Sequence, residues 1–219
     1  MNQEAVHARI RETGIMPAIR VATAEDALFA AQAILAGGIG VVELTTTVPG
    51  ATEVIAELRR TDPDLMVGAG TVLDPKLAGC CLDAGAAFLT SPGFDSRIMD
   101  FAAERGVLVI PGALSPTDVI AAQCAGATMI KIFPCGPMGG PAYIRSLRPS
   151  FPEIAFIAAG GVKPQNAAEY IRAGVVALGI GQYLVSPEAV KARNAGWIRE
   201  LCVRFAGVVK QARGNKLSR

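Results

Sequence analysis

Three charged residues fall in stretches that otherwise read as buried strands: Arg20 in MPAIRV (16–21), Glu43 in VVELTTT (41–47) and Lys131 in TMIKIFP (128–134). Taking one ion out of water costs several kcal/mol even after relaxation, against a whole-domain stability of about 5–15 kcal/mol. A fold does not keep three such residues idly. An amine among apolar neighbours and beside a guanidinium has its charged form disfavoured, and a free amine condenses with a carbonyl to form an imine. Glu43 is the only carboxylate in any strand-like stretch, so general-acid and general-base work at that amine falls to it. The same two residues also read as a closed Lys131–Glu43 ion pair held inside the fold for specificity. Residue types alone leave both readings open.

Side chains alternate faces along a strand. Glu43 therefore shares a face with Val41, Thr45 and Thr47, and Lys131 with Met129 and Phe133. For these groups to converge, the strands must curl around a common axis. A recurring junction supports this: a helical pattern ends in Ala-Gly or Arg-Gly and an apolar β-rich run follows, as in LAGGIGVVEL, DAGAAFLTS, ERGVLVIPG, CAGATMIKIF and RAGVVALGIG. Glycine past a helix supplies its left-handed cap, and Val/Ile-rich runs suit strands covered on both faces. The rhythm predicts strands over 16–21, 41–47, 66–72, 87–92, 108–113, 128–134, 155–160 and 176–181. Eight alternating units predict one (β/α)8 barrel spanning 1–219, with an open doubly wound sheet as the alternative. Residues 1–14 are expected to add an N-terminal helix that plugs the barrel's N-terminal mouth, and 205–219 to form the end of a C-terminal helix and a tail. Barrels of this kind keep their chemistry at the C-terminal mouth.

Several strand ends there carry notable residues: Thr71, Ser91, Pro92, Gly160, Gly161, Gly179 and Gly181. Glycines after the seventh and eighth strands read either as a cradle presenting backbone N–H groups to an anion beside a helix N-terminus, or as plain tight turns.

The bulk properties exclude other classes. Apolar residues make up 51% and charged residues 18%, and the net charge is +2 without a basic face, so the partner expected is a small molecule and not nucleic acid. Five cysteines lack metal-ligand spacing, and His7 has no histidine partner; neither metal nor cofactor is expected. The N-terminus lacks the apolar core of a signal peptide, and no stretch reads as a membrane span. A cytoplasmic protein is expected. Cys135 and Trp197 read as an apolar filler and as a core or subunit-contact residue.

The blocks VVELTTTVPGA, VGAGTVLDP, LTSPGFD, VIPGALSPTD, IKIFPCGPMGGPAYIRSL and IAAGGVKPQN together resemble the 2-keto-3-deoxy-6-phosphogluconate/4-hydroxy-2-oxoglutarate aldolase family. That resemblance runs in unbroken order over about residues 14 to 190. It implies a metal-independent class I aldolase of Entner-Doudoroff carbohydrate metabolism, commonly trimeric. By similarity, Lys131 attacks the C2 ketone and Glu43 shuttles protons. Thr71 holds the pyruvyl carboxylate, Pro92 and Phe133 wall the imine, and Gly160, Gly161 and Gly181 receive the distal anion.

Three positions depart from the family pattern. Thr47 stands where many members place an arginine; Arg20 is expected to compensate by binding the substrate carboxylate. Ala159 and Gln182 replace hydroxyl residues at the distal end. A 4-hydroxy-2-oxoglutarate-like or unphosphorylated sugar-acid substrate thereby gains weight against the phosphorylated sugar acid. A phosphate-binding barrel isomerase or transferase, and a non-catalytic scaffold, are the alternatives from other classes.

Overall fold

The computed structural model describes residues 2–214. After α1 (Gln3–Thr13), strands and helices alternate: β1 (Ile15–Ile19), α2 (Ala24–Ala36), β2 (Val41–Thr45), α3 (Ala51–Thr61), β3 (Met66–Gly70), α4 (Pro75–Asp83), β4 (Phe88–Thr90) and α5 (Ser96–Glu104). The second half runs β5 (Leu108–Ile110), β6 (Gly112–Ala113), α6 (Pro116–Cys124), β7 (Met129–Ile132), α7 (Pro141–Leu147), β8 (Ala155–Ala159), α8 (Ala167–Ala173), β9 (Ala177–Ile180), α9 (Pro187–Lys191) and α10 (Ala195–Gly214). The recurring junctions do what their glycines suggest: Gly38, Gly85, Gly106, Gly126 and Gly174 all have positive φ, between 65° and 107°, where a Cβ is costly. Helix starts are equally local. Ser115 and Asp118 form a reciprocal capping box at α6, and Asp74 caps α4 ahead of Pro75, each satisfying N–H groups the helix leaves open.

Nine strand pieces lie in the order β5-β4-β3-β2-β1-β9-β8-β7-β6. Every registered pair is parallel. The two ends of that order, β5 and β6, are consecutive pieces of the single expected strand 108–113, parted at Pro111. Proline has no N–H to give a ladder; its carbonyl instead accepts from Lys131 N at 2.9 Å. The parallel sheet is thus nearly closed, which is consistent with a (β/α)8 barrel and excludes the open doubly wound alternative.

Apolar side chains fill two zones. One large cluster lies between strands and helices. The second lies inside the sheet and joins Met16, Val41, Met66, Phe88, Leu108, Met129, Ala155 and Ala177, all at or near the beginnings of their strands, to Val6 and Ile10 of α1. Among the described residues, no helix is long and apolar enough to cross a membrane. α10 reaches Gly214, and the tail expected beyond it lies outside the described residues.

The expected strands run too far at their C-terminal ends. Arg20, Thr47, Thr71, Pro92, Phe133, Gly160 and Gly181 all sit just past the ladder. After β2 the chain turns with Val48 N on Thr45 O at 3.0 Å, and after β3 Thr71 takes φ 61°. Arg20 is consequently exposed rather than buried. Two interior ions, not three, bear the cost of desolvation.

Candidate active site

Lys131 and Glu43 stand on the inner faces of β7 and β2, buried to 6% and 4% exposure. Lys131 Nζ lies 3.4 Å from Glu43 Oε2 and 3.0 Å from Thr90 Oγ1. Room for them comes from small neighbours at the same height. Ala18 and Gly68 flank Glu43 across the ladder, and Gly112 flanks Lys131. A Cβ on Gly70 would overlap the Glu43 carboxylate, and one on Gly68 would overlap the Phe88 ring. Large apolar residues fill the N-terminal half of the interior, whereas Ala18, Ala159 and Gly179 leave the C-terminal half hollow.

That hollow is a cavity of about 420 Å³, lined among others by Arg20, Glu43, Thr71, Pro92, Lys131, Phe133, Gly160, Gly161, Gly181 and Gln182. The candidate site residues singled out from the sequence meet there except Thr47 and Ser91. The Thr47 hydroxyl bonds Thr45 Oγ1 at 2.8 Å, and the residue is exposed outside the cavity wall. It turns away because the chain leaves the ladder at Thr45, which breaks the alternation that would have carried it inward. The face test therefore fails for Thr47 and holds for Glu43.

Arg20 reaches into the mouth, donating to Thr71 Oγ1 at 3.2 Å. Thr71 is a β-branched residue in the left-handed region, a conformation that costs roughly 1–3 kcal/mol. Thr46 Oγ1 fixes it by donating to its carbonyl at 2.8 Å. Phe133 places its ring centroid 5.8 Å from Lys131 Nζ, close enough to shield the amine from water.

The distal end is built from loops. Gly160 and Gly161 have φ of 77° and 94°, and a Cβ on either would crowd the backbone of Pro134 or Gly136; turn geometry alone accounts for both. α8 begins at Ala167, and the residue before it, Asn166, donates Nδ2 to Gly161 O at 3.0 Å. The same Asn166 accepts the Lys163 N–H at its Oδ1 at 2.8 Å. Gly181 differs. Its φ is not positive, and a Cβ there would meet nothing within 4 Å, so only the open space of the cavity calls for glycine. Tyr183 lines the same rim, with Lys163 Nζ 5.4 Å from its ring centroid.

Sequence reasoning missed Thr90, Lys163 and Tyr183. Thr90 was findable, since it shares the inward face with Phe88 and Pro92; nothing in the local pattern marks Tyr183. Cys135 is fully buried, and burial pushes its thiol up to about 11, so it is filler and no nucleophile. Trp197 is 48% exposed on α10 and thus not core. Among the described residues, no group of three or more His, Cys, Asp or Glu side chains converges as a metal site.

The family model of the KDPG and KHG aldolases matches residues 6–201. The chain belongs to that family. It is 34% identical over 215 residues to a 2-dehydro-3-deoxy-phosphogluconate aldolase of Pseudomonas aeruginosa, covering 94% of this chain and 97% of that protein. A KHG/KDPG aldolase of Escherichia coli is 30% identical, covering 85% and 88%. Among solved structures, the KDPG aldolase of Legionella pneumophila, with pyruvate captured as a covalent carbinolamine, superposes with TM-score 0.85 at 33% identity, covering 90% of this chain and 96% of that one. Ala159 and Gln182 stand on the cavity wall and Thr47 lies outside it.

Proposed function

We propose that this chain is a class I aldolase that cleaves a 4-hydroxy-2-keto acid to pyruvate and an aldehyde through an imine on Lys131. One observation carries this reading: a lysine amine and the one buried carboxylate among the described residues stand 3.4 Å apart on the wall of a cavity that opens at the strand ends. The frame is a (β/α)8 barrel whose N-terminal mouth α1 plugs, working as a homotrimer in the cytoplasm.

Nζ of Lys131 adds to C2, the carbonyl oxygen takes a proton from Glu43, and the nitrogen gives one of its own protons back to Glu43, which leaves a neutral carbinolamine and Glu43 protonated again. Loss of that hydroxyl as water, again with a proton from Glu43, leaves an iminium whose nitrogen keeps one hydrogen. Glu43, now a carboxylate, removes the C4 hydroxyl proton. The C3–C4 bond breaks, its electron pair flows toward the iminium nitrogen, and the aldehyde departs. Reprotonation at C3 and hydrolysis then release pyruvate. The imine itself is the electron sink, so one lysine and one carboxylate suffice.

Arg20 and Thr71 hold the carboxylate of the pyruvyl half. They already contact each other at the mouth, and a guanidinium binds a carboxylate with two parallel N–H bonds. Replacing Arg20 by Lys keeps the charge but loses the fork. The expected result is a rise in KM of about tenfold or more with kcat changed by less than about threefold; an unchanged KM would retire Arg20 from this role.

At the other end, Gly160, Gly161, Gly181 and Gln182 receive the distal group of the substrate. The space beside Gly181 and the missing hydroxyls at Ala159 and Gln182 favour a carboxylate or an unphosphorylated terminus over a phosphate. A lactate dehydrogenase-coupled assay comparing 4-hydroxy-2-oxoglutarate, the phosphorylated sugar acid and its unphosphorylated form tests this. Pyruvate release from at least one of them is expected, fastest from a substrate without phosphate. Silence across all three would return the barrel to an isomerase, transferase or scaffold reading.

A further inference from the structure

We infer that Thr90 is a positioning residue for the imine chemistry, its buried hydroxyl holding one N–H of Lys131 and so fixing the rotation of the reacting nitrogen. The inference rests on the reading of Lys131 as the imine-forming amine and goes beyond it to how that amine is aimed.

The geometry favours threonine over glutamate as the anchor. N–H···O bonds cluster near 2.9–3.0 Å. Nζ to Thr90 Oγ1 is 3.0 Å, whereas Nζ to Glu43 Oε2 is 3.4 Å. Thr90 has 0% exposure, and among the described residues Lys131 is the only hydrogen-bond partner of its side chain. The other buried threonine, Thr45, spends its hydroxyl on Ile19 O and on Thr47. The neighbouring Ser91 turns its hydroxyl to Gly93 O. Thr90 also stands outside the cavity lining that holds both Lys131 and Pro92. It therefore touches the amine from behind, where no substrate atom competes for its oxygen.

This placement has consequences at two stages. A free amine has two N–H bonds and one lone pair in a tetrahedral arrangement. With one N–H on Thr90 and the other toward Glu43, the lone pair is left to point into the cavity, where C2 of the keto acid must lie. After condensation the iminium nitrogen carries a single N–H, coplanar with the C=N bond. Holding it on Thr90 Oγ1 sets the plane of the imine. The C3–C4 bond can lose its electron pair into the imine only when it stands perpendicular to that plane, so a fixed plane selects the bond that breaks. Thr90 transfers no proton in this scheme; Nζ keeps its hydrogen, and Glu43 does all the proton transfer.

The test compares T90V, which removes the hydroxyl at nearly constant volume, with T90S, which keeps it. The readouts are the rate of pyruvate capture under borohydride, followed by intact mass, and steady-state cleavage. In T90V, capture and kcat are expected to fall about 10- to 100-fold with KM changed by less than about threefold. T90S is expected to recover to within about threefold of the parent. Capture by T90V at the parental rate overturns the inference, and so does T90S as slow as T90V, since that would assign the effect to the lost methyl group. If circular dichroism shows T90V unfolded, T90C against T90S makes the same comparison, a poor acceptor against a good one at matched size. Failure of the parent protein itself to capture pyruvate would instead remove the imine reading of Lys131, a result distinct from equal rates in parent and variant.

Discussion

Lys131→Met is expected to abolish capture of pyruvate under borohydride, while the parent chain gains the mass of one reduced pyruvyl group at Lys131. Methionine fills the volume of the lysine stem without an amine, so the cavity keeps its shape and loses its nucleophile. Cleavage should fall by about 10⁴-fold or more, because among the described residues no other lysine stands on the cavity wall to take over. The same variant separates the two readings of the buried pair. If Lys131 and Glu43 were only a structural ion pair, the parent chain would capture nothing, and the substitution would act on stability alone. Removing one partner of a buried pair is expected to cost about 3–5 kcal/mol by stranding the other charge. K131M should therefore melt below the parent, and K131M/E43Q, which strands no charge, should recover part of that loss. Capture by K131M equal to the parent's, with the label mapped to another residue, would sink the assignment.

How legible all this was depends on which physical signal each residue leaves in one dimension. Lys131 and Glu43 stood out because burying an ion is expensive anywhere, and the cost is visible in a string of apolar neighbours. The repeat was legible because Gly38, Gly85, Gly106, Gly126 and Gly174 each sit at a cap that only glycine fills without strain. Strand ends were not, since the chain leaves the ladder through local turns whose residues still look extended: the LTTT and GTV runs carry β propensity to the end. That error placed Arg20 in a strand and Thr47 on the inner face. The distal loops were least legible. Gly160 and Gly161 serve a close backbone approach to Pro134 and Gly136 that involves residues some 25 positions away, and no local pattern announces a contact made by folding. Thr90 lay between these cases: its face was deducible, but threonine in a strand is too common to attract notice until the distance to Nζ is known.

Glu43→Gln is the sharper probe of mechanism, because the amide keeps the shape and the hydrogen-bonding reach of the carboxylate and loses only its ability to exchange a proton. Gly70 leaves space for a side chain of this size and no more, so the isostere should sit where the acid sits. With no other carboxylate on the cavity wall among the described residues, the C4 hydroxyl has no base, and kcat is expected to fall by about 10²- to 10⁴-fold with little change in KM. The deficit should track the chemistry step by step. Exchange of the pyruvate methyl hydrogens in deuterated water, followed by proton NMR, requires a base at C3 and should drop about as far as cleavage does. Capture under borohydride should drop less, since addition of the amine to C2 can proceed with solvent supplying protons. Glu43→Asp keeps the acid but withdraws it by one methylene from an amine already 3.4 Å away, and should fall between the parent and E43Q. If E43Q exchanged methyl hydrogens within about threefold of the parent, proton transfer would have to be assigned to water or to the substrate itself, and the convergence of the two buried charges would need a purely structural cause.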